Sequence, residues 1–248
     1  MHEDYDGLIG TVGVVIARFR DTMKRKGFCS AVLMICTLVV QVLLTPLYKL
    51  TMGRKTFSFR GNRLRYFCHW YNTTFLNERS IEVAVAIDAL KNTKGSNILE
   101  VGNVLSHYCD IPREVLDKYE KGEGVINEDI VDFHPEKKYD LIISVSTLEH
   151  VGFDETPKDP AKFAKAVRHL KTLLAPGGRM LVTIPIAYNE DAVNDLKDET
   201  LFDAQHYYSH TKKCRWEEVS QSEALQRKFF SPYQFANSII FCLDGDWT

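Results

Sequence analysis

Apolar residues are concentrated in one long run near the N-terminus and in several short runs further along the chain. Residues 27–48 read GFCSAVLMICTLVVQVLLTPLY and contain no charged side chain. A helix of about 20 apolar residues is long enough to cross the hydrocarbon core of a membrane. The pattern therefore predicts an N-terminal hydrophobic helix that spans a membrane. The alternatives are a helix that lies in the membrane interface and a helix that packs on the protein's own surface.

Positive charge lies on both sides of this run. The basic residues before it are Arg18, Arg20, Lys24, Arg25 and Lys26, and those after it are Lys49, Arg54, Lys55, Arg60, Arg63 and Arg65. Because both ends are basic, the positive-inside rule does not decide the orientation. We expect residues 1–54 to form a membrane-associated segment and residues 55–248 to form a folded domain on the cytoplasmic side.

Three short runs are apolar at nearly every position. They are NILEV at 97–101, YDLIISVS at 139–146 and RMLVTIPI at 179–186. Continuous apolar runs of this length are typical of parallel strands that are buried on both faces. Between the second and third runs, Asp159 is a candidate N-cap, an apolar stripe follows it, and a Pro-Gly-Gly turn ends the pattern. This order predicts a strand–helix–strand unit with a right-handed crossover.

The remaining segments give weaker signals. Asn77 is a candidate N-cap for a helix that runs to about Lys91. The segment before it, 57–79, is rich in aromatic and polar residues without a regular period, and it predicts a loop or lid over a site. Near the C-terminus, RWEEV and NSIIFCLDG predict two more strands, the last of them at a sheet edge.

The composition is that of a globular α/β protein. Of the 248 residues, 45% are hydrophobic and 26% are charged, and the formal net charge is −2. A charge so close to zero gives no indication of nucleic-acid binding, so no nucleic-acid partner is predicted. The six cysteines form no CxxC pair, and no Cys/His spacing matches a zinc site. No metal is therefore predicted.

Three segments, in this order, resemble the class I S-adenosylmethionine-dependent methyltransferases. They are NILEVG at 97–102, YDLIISVSTLEHVG at 139–152 and LAPGGRMLVTIP at 174–185. The similarity is to the small-molecule branch of the family. It implies an α/β fold with a Rossmann-like, mostly parallel sheet of about seven strands, and S-adenosyl-L-methionine as the cofactor. It also implies methyl transfer to a small-molecule acceptor, and the predicted anchor adds the hypothesis of a lipid-linked acceptor at a membrane surface.

The resemblance implies roles for individual residues. The cofactor-binding candidates are Glu100, Gly102, Asn103, Asp117, Asp129, Ile130 and Ser146, and the catalytic candidates are His150 and Glu149. In the family, the positions of Glu100 and Gly102 hold the methionine end of the cofactor and turn the chain, and Asn103 could supply a hydrogen bond in the loop that follows. The next acid binds the ribose hydroxyls, and the last acid and the isoleucine after it hold the adenine. The serine and the two catalytic candidates would line the cleft at the end of the strand that carries the second segment.

The sequence departs from the family pattern in two places. Val104 and Ser106 stand where the first motif usually has glycine, so this loop keeps a single glycine. Between Asp117 and the following VINED segment there are too few residues for a helical crossover. Either this crossover is truncated, or no strand forms at REVLD.

Two other functions are compatible with the same sheet. One is a catalytically inactive binding or scaffold protein tethered to a membrane, in which the missing glycines would report lost cofactor affinity. The other is an enzyme that uses a nucleotide or a dinucleotide, since fold does not fix function. The absence of GxGxxG after any predicted strand disfavours a dinucleotide.

Overall fold

An eight-stranded sheet forms the centre of the protein. The computed structural model describes residues 16, 19–20, 22–24, 27–186, 188–197, 200–211, 215–227 and 236–247. The strands of the sheet are β3 (Ile98–Val101), β4 (Glu114–Leu116), β5 (Val125–Ile126), β6 (Tyr139–Val145), β7 (Leu174–Pro185), β8 (Ala204–His210), β9 (Trp216–Val219) and β10 (Ser238–Asp244); β1 (Thr56–Phe59) and β2 (Asn62–Arg65) form a separate hairpin. The helices are α1 (Phe28–Thr51), α2 (Arg79–Lys91), α3 (Lys162–Thr172), α4 (Glu190–Lys197) and α5 (Gln221–Leu225), with 3₁₀ segments at Tyr71–Leu76, Leu105–His107 and Leu148–His150.

The strand order is β5-β4-β3-β6-β7-β10-β8-β9. The first five strands in this order are parallel, whereas β10 is antiparallel to β7 and β8, and β9 is antiparallel to β8. This is a class I methyltransferase-like order, with an antiparallel strand beside the fifth parallel one. The prediction that the last strand lies at an edge is wrong. Every residue of β10 is buried, because β10 lies between two neighbours inside the sheet.

Alternate residues of the central strands pack into two separate hydrophobic cores, one on each face of the sheet. Leu141 and Ile143 pack with α2 and with the β1–β2 hairpin, whereas Ile142 packs with α3, α4 and α5. Continuous apolar strands are required for this arrangement, because both faces of the sheet are covered. The inference of strands buried on both faces is thus confirmed for β3, β6 and β7.

Element boundaries differ from the predictions by a few residues in places. Helix α2 ends at Lys91 as predicted, and the Asn77 side chain accepts a hydrogen bond from the Arg79 N–H at 3.0 Å. Strand β7 begins at Leu174, so the Pro-Gly-Gly segment lies in the strand instead of ending a helix. Strands β4 and β5 are parallel although residues 117–124 connect them without a helix. The crossover is therefore truncated, and the strand at REVLD exists.

Helix α1 covers most of the uncharged N-terminal run. Its described large apolar side chains are mostly exposed, for example Leu33 at 67% and Leu43 at 72%. Near its end, the Tyr48 ring stacks on Phe75 with ring centroids 4.4 Å apart. Within the described part of the chain, no helix meets the length and hydropathy needed to cross a membrane. The transmembrane helix predicted over residues 27–48 is therefore not supported by the described residues.

Candidate active site

A cavity of about 360 Å³ opens at the carboxyl ends of the central parallel strands. It is lined by Val101, Gly102, Leu116, Asp117, Lys118, Tyr119, Glu120, Glu128, Asp129, Ile130, Thr147, His150, Val151, Asp154 and Glu155. These residues follow β3, β4, β5 and β6, so four neighbouring strands each contribute one wall. In open α/β sheets, this edge is where ligands bind.

Gly102 forms the floor of the cavity where β3 ends. Its φ is +86°, a conformation that costs glycine little and other residues more. Its N–H donates to the Leu116 carbonyl at 2.8 Å, and a Cβ atom built on it would lie 2.2 Å from the Thr147 Oγ1 atom. Two strand ends therefore approach each other so closely here that only glycine fits.

Glu100 organises the loop that follows Gly102 and does not line the cavity. Its Oε1 atom accepts hydrogen bonds from the N–H groups of Val104, at 2.8 Å, and Leu105, at 2.6 Å. Its Oε2 atom pairs with the Arg113 guanidinium at 2.5 Å, and the whole residue is fully buried. Glu100 therefore positions the loop. It does not contact the cavity, whereas the resemblance implies direct contact with the cofactor.

Asp117 ties the same loop to the end of β4. Its Oδ2 atom accepts from the Asn103 N–H at 3.2 Å, and its Oδ1 atom accepts from the N–H groups of Tyr119 and Glu120 at 2.9 and 2.7 Å. The Asn103 side chain turns away to donate to Glu120 at 2.8 Å and does not line the cavity. Together with Glu100, Asp117 takes up the three consecutive N–H groups of residues 103–105. These amides are therefore not available to bind a phosphate group.

Asp129 lies between two lysines at the far wall. Its Oδ2 atom is 2.7 Å from the Lys118 ammonium and 2.5 Å from the Lys162 ammonium, and Glu155 also pairs with Lys162, at 2.6 Å. Burial alone would raise the pKa of Asp129, but the hydrogen bonds from the two lysines outweigh it and lower the pKa to about 2. Asp129 is therefore ionised at neutral pH. Ile130 lies next to it, nearly buried, and presents an apolar surface to the cavity.

The cavity wall carries a large excess of negative charge. Six carboxylates line it, whereas Lys118 is the only lysine among the lining residues and Lys162 reaches the wall from α3. The six acidic residues are Asp117, Glu120, Glu128, Asp129, Asp154 and Glu155. Such a wall attracts a cationic ligand and repels a phosphate.

His150 faces the cavity and is oriented by two neighbours. Its Nδ1 atom is 2.5 Å from the Asp154 Oδ2 atom, and the Tyr188 hydroxyl donates to the same oxygen at 2.8 Å. The Tyr188 ring also contacts the imidazole, with centroids 4.6 Å apart. A carboxylate on one ring nitrogen fixes the orientation of the imidazole and supports proton acceptance at the other.

Glu149 and Ser146 point away from the cavity into a buried polar cluster. Ser146 has φ of +41°, and its hydroxyl donates to the Glu82 Oε1 atom at 2.5 Å, as does the Thr183 hydroxyl at 2.6 Å. The Arg79 guanidinium lies 3.4 Å from the other oxygen of Glu82. Burial raises the pKa of Glu149 well above its ordinary value. Neither Ser146 nor Glu149 contacts the space that a cofactor would fill.

The predicted lid is a bent aromatic segment packed over the one-glycine loop. Tyr71 stacks on His107 with centroids 4.3 Å apart, and Tyr108 contacts Phe67 and His69 edge to face at 5.5 Å. Burial lowers the pKa of His69, whose Nδ1 atom accepts from the Tyr71 N–H at 3.1 Å. The ring is therefore held as a neutral hydrogen-bond acceptor within the segment.

The structure brings five of the nine candidates to the cavity. Those five are Gly102, Asp117, Asp129, Ile130 and His150, and the four that do not line it are Glu100, Asn103, Ser146 and Glu149. Sequence reasoning missed Asp154, which sits one helical turn after His150 and could have been found from that spacing. It also missed Lys118 and Lys162, whose partners lie far away in the sequence and leave no local signal. Among the described residues, no three His, Cys, Asp or Glu side chains are arranged to hold a metal ion.

Comparison with known proteins gives distant similarities of structure. No protein-family model matches the chain, and no curated protein is similar to it in sequence. N-methyltransferase NodS from Bradyrhizobium japonicum is 15% identical with a TM-score of 0.41, over 68% of this chain and 96% of that one. A possible histamine N-methyltransferase from Thermotoga maritima is 12% identical with a TM-score of 0.41, over 70% and 94%. The structure of DhpI with S-adenosylhomocysteine is 12% identical with a TM-score of 0.37, over 85% and 96%. These structural neighbours are small-molecule S-adenosylmethionine-dependent methyltransferases at low identity, and they show the fold alone.

Proposed function

We propose that the protein is an S-adenosylmethionine-dependent methyltransferase that acts on a small-molecule acceptor. The observation that carries this proposal is the acid-lined cavity at the carboxyl ends of β3, β4, β5 and β6. S-adenosylmethionine carries a positively charged sulfonium and an ammonium group against one carboxylate, so its net charge is opposite to that of the cavity wall. A volume of about 360 Å³ also lies in the range of small-molecule sites.

The residues at the cavity fit this cofactor. Asp129 is ionised and can accept a hydrogen bond from the adenine amino group, while Ile130 offers an apolar surface to the ring. Asp117 keeps lone pairs for ribose hydroxyls beyond the three backbone N–H groups that it accepts. When bound, the cofactor would supply an electrophilic methyl group to the acceptor.

The side chains of the site would orient the acceptor and accept a proton from it. His150, held by Asp154 and Tyr188, is the candidate base for an acceptor proton. Positioning supplies most of the acceleration in a displacement at a methyl carbon, because alignment of nucleophile and carbon replaces a bimolecular encounter. The buried strand ends that carry these side chains are suited to that task.

The nucleotide alternative is disfavoured by the same charges. A dinucleotide or nucleoside phosphate needs free N–H groups or cations at the glycine loop, and the N–H groups of residues 103–105 are taken by Glu100 and Asp117. The scaffold alternative makes a different prediction, namely a folded chain without affinity for the cofactor. Binding measurements therefore separate the three functions.

The test is S-adenosylhomocysteine binding by calorimetry to the full chain, with NADH and ATP as comparison ligands. We expect micromolar binding of S-adenosylhomocysteine only. Asp129→Asn should weaken it by roughly tenfold to a hundredfold, the range for loss of a hydrogen bond to a charged group. Asp132→Asn, the same change at an exposed position outside the cavity, should leave it unchanged. A well-folded wild-type chain that does not bind S-adenosylhomocysteine would favour the scaffold.

We also propose that the chain associates with the surface of a membrane on the cytoplasmic side, where a lipid-linked acceptor would be presented. The support is the exposed apolar surface of α1, including Leu33 and Leu43, next to the basic residues Lys49, Arg54 and Lys55. Flotation of the full chain with anionic vesicles tests this. Leu33→Asp with Leu43→Asp should abolish flotation, and wild-type protein that stays at the bottom of the gradient would contradict the proposal.

A further inference from the structure

We propose that the buried carboxylates around Arg79, together with the aromatic lid segment, form the acceptor site and that the site takes an amine as its ammonium ion. This inference rests on the proposed function, since it names the class of acceptor that the methyltransferase would use. Its centre is Glu149, on the 3₁₀ turn directly after β6.

The cluster holds more negative than positive groups. Glu78, Glu82 and Glu149 all lie within electrostatic range of one guanidinium, that of Arg79. Burial and the neighbouring carboxyl group of Glu82 raise the pKa of Glu78 to about 7, and burial raises that of Glu149. In the absence of a ligand, protons therefore balance the charge. A ligand cation can take the place of such a proton.

Glu149 has an oxygen without a partner. The residue is 1% exposed, and its Oε2 atom has no hydrogen-bond partner among the described residues. Buried polar atoms are nearly always satisfied, because an unmade hydrogen bond at a buried group is costly. The missing partner of a carboxylate is a donor, and an ammonium ion is the strongest donor available to a small molecule.

Aromatic rings lie close to the Arg79 cluster. Tyr108 belongs to both groups, because Arg79 and Glu82 act electrostatically on its hydroxyl, while its ring contacts Tyr71 at 5.8 Å. Trp70 and His107 continue this aromatic surface. Carboxylates opposite aromatic faces select cations over neutral and anionic molecules, since both stabilise positive charge.

The site borders the cofactor cavity. The Glu149 Oε1 atom is 3.8 Å from the His150 Nε2 atom, and His150 lines the cavity. An amine nitrogen held between Glu149 and His150 would therefore lie beside the wall of the cavity that His150 forms. The titratable and charged groups that interact electrostatically with Glu149 are Arg79, Glu78, Glu82 and Tyr188, and His150 lies beside it.

The chemistry at this boundary balances. An ammonium ion cannot attack until it loses one proton, and the carboxylate of Glu149 or the imidazole of His150 accepts that proton. The freed electron pair of nitrogen then forms the bond to the methyl carbon as the bond between that carbon and sulfur breaks, and its electron pair remains on sulfur. A carboxyl group of raised pKa is suited to this step, because it accepts a proton more readily than an ordinary carboxylate.

The test compares benzylamine with benzyl alcohol as probes for binding to the full chain. Calorimetry is run at pH 7.5 in two buffers of different ionisation enthalpy, so that proton release is measured along with affinity. We expect benzylamine to bind at least tenfold more tightly than the alcohol and to release protons from the cluster. Glu149→Gln should remove the preference and reduce proton release, whereas Glu136→Gln, an exposed position, should keep both.

The outcomes separate this inference from the proposed function. Equal affinity for amine and alcohol, or Glu149→Gln protein that keeps the preference, overturns the amine site. If Glu149→Gln does not fold, the number of protons that the wild-type chain releases on binding benzylamine decides. Proton release supports the displacement of a carboxyl proton by the ammonium ion, and the absence of release contradicts the amine site. S-adenosylhomocysteine binding is measured in parallel and should survive Glu149→Gln, since Glu149 does not line the cavity. Failure of the wild-type chain to bind S-adenosylhomocysteine would overturn the methyltransferase proposal, whatever the amine result.

Discussion

Replacement of Gly102 by alanine tests how closely the ends of β3 and β6 approach beneath the cavity. The added Cβ atom would lie 2.2 Å from Thr147 Oγ1, 2.5 Å from its Cγ2 and 2.8 Å from its Cβ. All three distances are shorter than van der Waals contact, so the Thr147 side chain or the backbone must move. The φ of +86° adds strain for any residue with a side chain.

The expected loss of stability follows from these two terms. Holding a non-glycine residue in a sparsely populated conformation costs about 1–3 kcal/mol. Overpacking of a well-packed position costs about 1–3 kcal/mol more. Gly102→Ala should therefore lower the free energy of unfolding by about 2–6 kcal/mol, and the melting temperature by about 4–24 °C for a chain of this size.

A double-mutant cycle checks the origin of this loss. Urea unfolding is measured for wild type, Gly102→Ala, Thr147→Ala and the double variant. Thr147→Ala removes the two nearest atoms, so the double variant should regain part of the loss, with a coupling energy of about 1–2 kcal/mol. A loss below about 0.5 kcal/mol for Gly102→Ala, typical of an ordinary surface substitution, would refute the close approach. Because of this cost, a Gly102 variant would not separate lost cofactor binding from lost stability, so Asp129→Asn is the better test of binding.

Three further predictions concern buried charge. Asp129→Asn should lower the free energy of unfolding at pH 7, measured in urea, by about 1–2 kcal/mol. Burial raises the pKa of Asp129, but the hydrogen bonds from Lys118 and Lys162 outweigh it and lower the pKa to about 2. The stabilisation by the ionised carboxylate is therefore present above about pH 4 and is lost as the pH falls from about 4 to about 2. Arg113→Met should cost about 3–5 kcal/mol, because it leaves the buried carboxylate of Glu100 unpaired, and Glu100→Gln should restore part of that loss in thermal melts. Burial raises the pKa of Glu149, so wild-type stability should fall as the pH rises above the ordinary carboxyl value; Glu149→Gln should flatten this fall between pH 5 and 8, and an unchanged slope would contradict the assignment.

The sequence predicted the central strands well because burial on both faces demands continuous apolar runs. β3, β6 and β7 could be located from that property alone. The hairpin of β1 and β2 was missed although exposed Thr56 and Ser58 alternate with buried Phe57 and Phe59, because each of its strands has only four residues. The position of β10 inside the sheet depends on long-range pairing with β7, which no local pattern encodes.

The candidate site was predictable where a residue follows a strand directly. Gly102, Asp117 and His150 reach the cavity because the strand before each of them ends at the same edge of the sheet. Glu149 shares the turn with His150, but a 3₁₀ turn directs successive side chains to different sides, and sequence adjacency cannot distinguish them. Lys162 comes to Asp129 from the start of α3, and this contact depends on how the helix packs on the sheet.

The missing glycines of the loop at 102–108 have a physical explanation that bears on the ligand. Glycine is needed where a phosphate approaches the backbone and binds its N–H groups. In this loop, the corresponding N–H groups bind Glu100 and Asp117 instead, and Leu105 is fully buried as an anchor of the turn. The affinity for a ligand without phosphate does not depend on free N–H groups in this loop, because such a ligand is recognised by carboxylates and by the apolar wall around Ile130. The one-glycine loop is therefore compatible with a cationic nucleoside such as S-adenosylmethionine, and it is incompatible with a dinucleotide bound in the usual way.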